Sequence, residues 1–587
     1  MNKLSKINQI LFILYLLPAV FILWFISKFA INIPYMDQWS LVPFFEKISD
    51  GKATFTDFFA LHNEHRLFFP KLIFVGFAFL TNWKIRYELY FNFILACITC
   101  FTLYKLSIKT QKPDNFLAKI STILTCLLIF SLMQYENWLW GFQLANQLIN
   151  TCLVVATFIL TSFQQWSINK RVIIAAILCF IASFSSAQGL LTWLALIPAV
   201  AFLENPNNVD DNINKEKLDI WGTLFIVSAI IYAIGYDKPV DTPSFIIPFE
   251  QPINSLFFAL NLLGFPILSV VAKPGAAFIV GLLISVFFIT TSWYIFKHFR
   301  LEFRQNLTPW VCLGIFSSLF AVMTTIGRGA LPIEFAMISR YTTNSLLLIV
   351  AFIQILRFFV SLYPSDRIQI FKGIYGVFSG IFLAIFLSNS IATFTHIKEF
   401  KTNIDIGKAC LNYIYIFNEK YIDKSYNNCL KNLYPDAEEV KKYADILDKL
   451  YFREFPLDAN LILPMPNQTY GNIDKPASSK NPLLINKNIT GFSITGWAIL
   501  PESTKNPQVV FLANNQSKKF FAIAKINIER PDVAAYFKNN RFTKSGWSVD
   551  ISPASLPPGE TIINAWVYDA NNDRFFKLNG EAKVLLQ

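Results

Sequence analysis

The sequence predicts an all-α polytopic membrane domain, followed by a helical segment and a small antiparallel β-sandwich. Hydrophobic residues make up 54% of the 587 residues and charged residues only 15%, whereas soluble globular proteins carry roughly 25% charged residues. The apolar residues come in runs of about 20, the length of helix that spans a hydrocarbon core. Mean hydropathy is accordingly high, at +0.42. These observations exclude a conventional arrangement of soluble domains.

We interpret the net charge of +12 as an excess of basic residues that sets the orientation of the spans in the membrane. No soluble segment combines a basic face with stacking aromatic residues, so we expect no nucleic-acid partner. Lys3 and Lys6 precede the first apolar run, and basic residues that flank spans stay in the cytoplasm. No small-residue cleavage pattern follows this run, so it is expected to remain as the first span. The N-terminus is therefore predicted inside.

Later basic residues support this orientation. Four clusters, beginning at Lys105, Lys170, Lys297 and Arg357, all fall inside if the chain has eleven spans. The spans are predicted at about residues 10–30, 87–106, 116–133, 143–163, 172–186, 189–203, 219–236, 274–296, 309–326, 342–362 and 368–392. The C-terminal region then lies outside.

Two further apolar runs, 67–80 and 253–271, do not fit this scheme as spans. Counting them would move basic clusters to the wrong side, so they are interpreted as interfacial or re-entrant helices. Including both would give thirteen spans and leave the C-terminus outside.

The remainder of the chain is polar and differently patterned. Cys410 and Cys429, the only cysteines outside the predicted spans, form a candidate disulfide if this region faces an oxidising compartment. Short runs with period-two alternation, punctuated by turn residues, then predict the β-sandwich. The predicted domains are a transmembrane domain at 1–395, a helical segment at 396–463, a linker at 464–482 and the β-sandwich at 483–587.

The first outer loop carries the richest set of candidate functional groups. Asp37 follows the first span, where a carboxylate can act as a general base, although it can equally cap the helix that follows. His62, Glu64, His65 and Arg66 close the loop. His62, Glu64 and His65 can hold a divalent metal through two imidazoles and a carboxylate. The alternatives are that His65 and Arg66 recognise a phosphate or sugar, or that the segment anchors the loop at the interface. The spacing differs from the helical zinc motif, so any cofactor is left open.

A second outer loop contains Glu136, Trp138, Trp140 and Gln143. Aromatic faces beside amides and a carboxylate are typical of sugar binding, and Trp is also typical of interfacial belts.

A third outer segment contains two arginines, Arg328 and Arg340, with Tyr341 beside the second. The positive-inside bias predicts no arginine there, so both need an anion, which is either a lipid-linked phosphate or the structural partner Glu334. Gln188 lies in a short turn between two spans, where helix packing by small residues is the alternative explanation.

The layout resembles the integral-membrane glycosyltransferases of the C-type fold (GT-C). Asp37 and the segment from His62 to Pro70 stand where that superfamily has an acidic residue after the first span and a His/Pro-containing segment. Ala187-Gln188-Gly189 stands where that superfamily has a turn resembling Thr-Lys-Gly, with Gln in place of Lys. The resemblance covers about residues 1–395 and implies a polyprenyl-phosphate-linked sugar donor. The C-terminal region is similar to accessory β modules of surface-polysaccharide enzymes.

We therefore expect a glycosyltransferase in a bacterial inner membrane, with its C-terminal domain periplasmic or extracellular. It would move a sugar to a surface glycan, lipid or protein. Asp37 would be the catalytic base. Arg66, Arg328 and Arg340 would bind the donor phosphate. The predicted substrate-binding residues are His62, Glu64, His65, Glu136, Trp138, Trp140, Gln143, Gln188 and Tyr341. The alternatives are a transporter or lipid flippase, whose internal symmetry is not seen here, and a non-enzymatic scaffold that binds cell-wall polymer.

Overall fold

The chain is described by a computed structural model and is mostly helical, at 66%. It divides into two compact units: Met1–Asn32 with Ala53–Lys398, and Ile33–Lys52 with Glu399–Gln587. The segment 33–52, which the sequence analysis assigned to the transmembrane domain, is thus grouped with the C-terminal residues. The described residues are 2–110, 115–203, 214–238, 244–268, 272–298, 301–361, 368–417, 419–476, 482–487, 490–503 and 505–587.

Helices build the first unit; of those named next, Val42–Ser49 and the last residues of Ile368–Asn412 belong to the second unit. Up to the end of the longest one, the α-helices are α1 (Asn2–Phe29), α2 (Val42–Ser49), α3 (Phe55–Phe59), α4 (Phe68–Thr81), α5 (Arg86–Thr110), α6 (Asn115–Ile129), α7 (Tyr135–Leu139), α8 (Leu144–Ser162), α9 (Ile168–Ser183), α10 (Leu191–Ala195), α11 (Ile197–Ala201), α12 (Lys215–Ala233), α13 (Ile247–Glu250), α14 (Pro252–Gly264), α15 (Pro274–His298), α16 (Leu301–Arg328), α17 (Thr342–Ser361) and α18 (Ile368–Asn412). Short 3-10 helices connect several of them, at Leu132–Gln134, Gly141–Gln143, Ala187–Leu190, Phe265–Ile267, Ile333–Met337 and Ser339–Tyr341.

Seven helices among the described residues are long and apolar enough to cross a membrane. They are Arg86–Thr110, Leu117–Leu139, Gly141–Ser162, Pro274–His298, Arg304–Arg328, Ser339–Ser361 and Gln369–Asn412. Shorter apolar helices cover Ile13–Phe29, Phe68–Thr81, Ala187–Ala201 and Pro252–Ile267. The prediction of a helical chain with several membrane-spanning candidates is confirmed. The count of eleven and the orientation stay predictions, and Lys112, Arg300 and Arg367 from the basic clusters lie outside the described residues.

Small residues set the spacing of helices in the first unit. A Cβ atom on Gly264 of α14 would lie 1.9 Å from the carbonyl oxygen of Ala277, and one on Gly281 of α15 would lie 1.9 Å from that of Leu260. Glycine at both positions lets the two backbones approach closely, as is common between membrane helices.

The second unit joins an early segment to the C-terminal residues. The backbone N–H of Met36 donates to the carbonyl oxygen of Leu433 over 2.8 Å. Lys449 forms an ion pair with Glu46 of α2 at 2.7 Å. Its remaining α-helices are α19 (Lys424–Leu430), α20 (Ala437–Lys449) and α21 (Pro531–Tyr536), with 3-10 helices at Met36–Leu41, Ile414–Ile416, Glu419–Tyr421, Asn540–Lys544 and Pro553–Ser555. A disulfide joins Cys410 to Cys429, whose Cα atoms are 6.3 Å apart.

A curled sheet of ten strands completes the second unit. Its order is β3-β11-β10-β7-β8-β9-β6-β4, with β12 beside β10 and β5 beside β12. Among the described residues the strands are β1 (Leu61–His62), β2 (His65–Arg66), β3 (Leu461–Ile462), β4 (Gly471–Lys475), β5 (Leu483–Ile485), β6 (Phe492–Ala498), β7 (Val509–Asn514), β8 (Phe520–Ile528), β9 (Gly546–Ile551), β10 (Gly559–Asp569), β11 (Arg574–Lys577) and β12 (Ala582–Leu586). β1 and β2 form a separate hairpin in the first unit.

The sheet differs in detail from the predicted sandwich. Its strands are linked in one sheet, and the β3–β11 and β5–β12 pairs are parallel. Residues such as Trp547 and Phe521 fill its hydrophobic core. The segment predicted as a linker contributes β4, because buried Ile473 packs in that core; its residues 477–481 lie outside the described ones.

Candidate functional site

A two-stranded hairpin presents the first group of candidate residues. His62 of β1 pairs with His65 of β2, so Asn63 and Glu64 form the turn. Asn63 has φ +51°, the left-handed conformation that Asn adopts more readily than most residues. Both histidines and Glu64 are thereby held at one end of the hairpin.

Arg66 fixes this hairpin to the rest of the first unit. Its Nε donates to the carbonyl oxygen of Tyr232 over 2.7 Å and its Nη1 to that of Phe59 over 2.6 Å. Its Nη2 donates to the carbonyl oxygen of Ile234. Arg66 is also only 3% exposed. The phosphate-binding role of Arg66 stays a prediction, while its observed contacts are structural.

Glu64 and Arg328 form an ion pair at the turn of the hairpin. Arg328 Nη2 lies 2.7 Å from Glu64 Oε1, and both side chains are partly exposed, at 29% and 23%. Glu64 Oε2 is buried without a hydrogen-bond partner among the described residues. Within the same residues, Arg328 makes one further contact, a 3.5 Å bond to the carbonyl oxygen of Gly327. Both groups thus keep capacity to bind a ligand.

The two histidines are neutral near pH 7. Burial, reinforced by the charges of His65 and Lys71, lowers the pKa of His62 to about 4. Burial also lowers the pKa of His65. The negative charge of Glu64 opposes this shift, whereas the positive charge of Arg328 adds to it. His65 Nδ1 accepts from the backbone N–H of Ala187 over 3.4 Å, so its proton lies on Nε2, 3.8 Å from Glu64 Oε1.

A second carboxylate–arginine pair joins two of the other predicted segments. Glu136 Oε2 accepts from the backbone N–H of Arg340 over 2.9 Å, and Glu136 Oε1 lies 3.9 Å from Arg340 Nη1. The Glu136 N–H donates to Ser339 Oγ over 3.2 Å. The Arg340 guanidinium lies 5.7 Å from the Trp140 ring and 5.6 Å from the Tyr341 ring. It is 33% exposed.

Aromatic rings connect the two pairs within the first unit. The His62 ring lies 4.9 Å from that of Phe142, which stacks on Trp140 at 6.0 Å. Trp140 in turn contacts Arg340. The structure therefore brings the three predicted loops into one continuous group of residues, which we call the paired-arginine site: His62, Glu64, His65, Glu136, Trp140, Phe142, Arg328 and Arg340.

Three other predicted residues, whose substrate-binding roles stay predictions, lie in or beside this group. Trp138 is fully buried and its ring N–H donates to the carbonyl oxygen of Ser131. Gln143 is buried and accepts from Asn146 Nδ2 over 2.7 Å. Gln188 is half-buried and accepts from Ser186 Oγ.

Asp37 belongs to the second unit and not to the unit that holds the paired-arginine site. The 3-10 helix there begins at Met36 with Tyr35 as its N-cap residue, so Asp37 lies in the first turn instead of capping it. Its charge is close enough to Tyr434 to contribute, after burial and Glu439, to raising the pKa of that residue to about 12.

Metal ligation by these residues stays open. In the part of the chain that the structure describes, no three His, Cys, Asp or Glu side chains are grouped so as to hold a metal ion.

Two partners of the site were not among the predicted residues. The Tyr232 hydroxyl donates to the carbonyl oxygen of Glu64 over 2.9 Å and accepts from the Arg66 N–H. Phe142 joins the two pairs. Tyr232 follows Arg66 by 166 residues and no local pattern marks it. Phe142 could have been found, since it lies between two predicted residues.

Comparison of the chain with models of protein families, with curated proteins and with solved structures finds no match.

Proposed function

We propose that this chain is an integral-membrane glycosyltransferase of the GT-C type that takes a sugar from a polyprenyl-phosphate donor. The observation that carries the proposal is the paired-arginine site, in which two partly exposed arginines share one unit with two carboxylates and a line of rings. An anionic lipid headgroup bearing a sugar needs those groups: guanidinium forks for phosphate oxygens, and carboxylates and rings for the sugar.

The two arginines would stabilise negative charge as the phosphate leaves. Arg328 and Arg340 are held in place by Glu64 and Glu136 before the donor binds. The buried Oε2 of Glu64 would accept a hydrogen bond from a sugar hydroxyl. Asp37 remains the proposed base that takes the proton of the acceptor.

The proposal includes eleven spans, with the N-terminus in the cytoplasm and the C-terminal unit outside a bacterial inner membrane. The Cys410–Cys429 disulfide supports this orientation, because disulfides persist in oxidising compartments. A surface glycan, lipid or protein would then be the acceptor on the same side.

The test measures transfer in proteoliposomes from undecaprenyl-phosphate-linked glucose, mannose or aminoarabinose to extracted surface glycolipid. With the donor that gives transfer, we expect Arg328→Gln and Arg340→Gln each to lower kcat/KM by about 100-fold, the usual order for loss of one charge-stabilising donor. Arg86→Gln is the matched control, because Arg86 is exposed at the start of α5. Its kcat/KM should stay within about twofold of the wild type.

Three results would contradict the proposal. The first is unchanged transfer in both arginine variants. The second is wild-type transfer by Asp37→Asn, which would contradict only the part of the proposal that makes Asp37 the base. The third is movement of the labelled lipid between leaflets with no sugar transferred, which would favour the flippase alternative.

A further inference from the structure

A polar cleft in the second unit lies on the rim of the curled sheet. It consists of two adjoining hollows of about 170 and 320 Å³. Leu500, Ser503, Asp569 and Asn571 line both hollows, so the two hollows lie side by side. The larger hollow alone is of the size that pockets for small ligands have, about 300–1,000 Å³.

The smaller hollow is electropositive. Three lysines, Lys401, Lys408 and Lys505, line it together with two carboxylates, Asp405 and Asp569. Lys401 is paired with Asp405 at 2.6 Å, whereas Lys408 and Lys505 form no ion pair with any residue that the structure describes. Arg453 and Lys401 repel the charge of Lys408, whereas Asp405 and Asp573 attract it. An anionic group bound here would therefore relieve repulsion between cations.

The larger hollow combines an aromatic surface with amides. Tyr470 and Phe576 stack with ring centroids 4.2 Å apart, and both line the hollow. Asn571 and Asn572, in the turn between β10 and β11, lie beside them, and Arg574 and Glu502 add one charge of each sign. The Asp569 carboxylate holds this turn by accepting from Asn571 N–H and Asn572 Nδ2. A ring next to fixed amide groups suits a ligand with an apolar face and many hydroxyls.

We propose that this cleft binds an acidic carbohydrate chain, with a carboxylate or phosphate substituent between Lys408 and Lys505 and a sugar ring against Phe576. Because the two hollows share four lining residues, one chain of a few sugars would contact both. This binding site is separate from the proposed transferase reaction and does not depend on it.

The test is a binding titration of the full-length protein in detergent, without any lipid-linked donor. The probes are a galacturonic acid hexamer, a phosphorylated mannose oligosaccharide, neutral maltohexaose and a hexaglutamate peptide. We expect one or both acidic oligosaccharides to bind at least about tenfold more tightly than maltohexaose and hexaglutamate, because only they satisfy both hollows. The better of the two identifies the substituent.

Variants locate the binding. Lys408→Gln and Lys505→Gln should each weaken binding of the acidic oligosaccharide by about tenfold, the usual loss for one charge-assisted hydrogen bond. Lys505 is exposed, so its substitution leaves folding intact. Asn571→Ala should weaken binding of both acidic and neutral chains. Lys424→Gln, at an exposed lysine of α19 away from the cleft, is the control and should bind as the wild type does.

The proposal is overturned if neither acidic oligosaccharide binds, or if hexaglutamate binds as well as they do, which would indicate a peptide site. It is also overturned if Lys424→Gln weakens binding as much as Lys408→Gln and Lys505→Gln, since that result would indicate nonspecific attraction to a basic unit.

Discussion

At the scale of single residues, the acceptors around a guanidinium decide whether an arginine holds the chain together or binds an anion. Arg66 donates to three backbone carbonyls and is buried. Arg328 and Arg340 are partly exposed and each lies beside one carboxylate. Carboxylate partners can be exchanged for phosphate oxygens, whereas buried carbonyls lose a donor if the arginine moves.

Arg66→Lys should therefore destabilise the first unit. An ammonium group cannot reach the carbonyl oxygens of Phe59, Tyr232 and Ile234 in one plane, so at least one is left without a donor, at a cost of roughly 2–4 kcal/mol. A lower Tm in detergent, followed by tryptophan fluorescence, is the expected result. Arg86→Lys, at an exposed position, is the control. An unchanged Tm for Arg66→Lys would show that these hydrogen bonds contribute little.

His62 should make stability depend on pH. Its pKa is about 4 in the folded chain and about 6.5 in an unfolded one. Between these values the unfolded chain binds a proton that the folded chain does not, so this contribution is complete above pH 6.5 and is lost as the pH falls toward 4.

The free energy of unfolding should fall by roughly 1–3 kcal/mol over this pH range, after allowance for the partial exposure of His62. Thermal unfolding at neutral and acidic pH should show a smaller decrease in Tm for His62→Gln than for the wild type. His298→Gln, which removes an exposed histidine at the end of α15, should keep the wild-type decrease. Equal decreases in His62→Gln and the wild type would refute the assignment.

At the scale of elements, the close approach of α14 and α15 depends on glycine. Gly281→Ala should separate these helices, because the added Cβ would overlap the carbonyl oxygen of Leu260. We expect the free energy of unfolding to fall by more than about 2 kcal/mol. Gly222→Ala in α12 is the matched control, since nothing lies within 4 Å of the added Cβ. It should be neutral or stabilising by up to about 1 kcal/mol. Equal Tm values for the two variants would contradict the packing argument.

Local sequence patterns predicted the helices and strands better than they predicted which residues contact each other in the fold. Apolar runs of span length and period-two alternation depend on neighbouring residues, so helices and strands appear where they were expected, as in β6 to β10. The hydrogen bonds of Arg66 with Tyr232 join residues 166 positions apart, and no local pattern encodes them. The three loops with candidate polar residues were recognisable from the sequence. Which of their arginines donates to backbone carbonyls instead of facing a carboxylate depends on the tertiary fold.

At the scale of the whole molecule, the proposed orientation can be tested by chemical labelling. Ser517→Cys adds a thiol in an exposed turn of the sheet, and Gln165→Cys adds one in an exposed segment between α8 and α9. In spheroplasts of a bacterial host, a membrane-impermeant maleimide should label Ser517→Cys directly and Gln165→Cys only after permeabilisation. The reverse pattern would overturn the proposed orientation, and with it the proposed position of a transferase site on the outer face.

The second unit contains residues from both ends of the chain, and this has a consequence for biosynthesis. Phe45 packs on Phe452 with ring centroids 6.0 Å apart, Tyr35 on Phe400 at 5.5 Å, and Met36 is bonded to Leu433. A ribosome adding roughly 5–20 residues per second needs on the order of 20–80 seconds to reach those partners after finishing the early segment. During that interval Tyr35, Met36 and Phe45 lack these partners, so this part of the second unit cannot assemble until residue 452 has been added. A message cut short after residue 398 would yield a chain whose second unit stays incomplete.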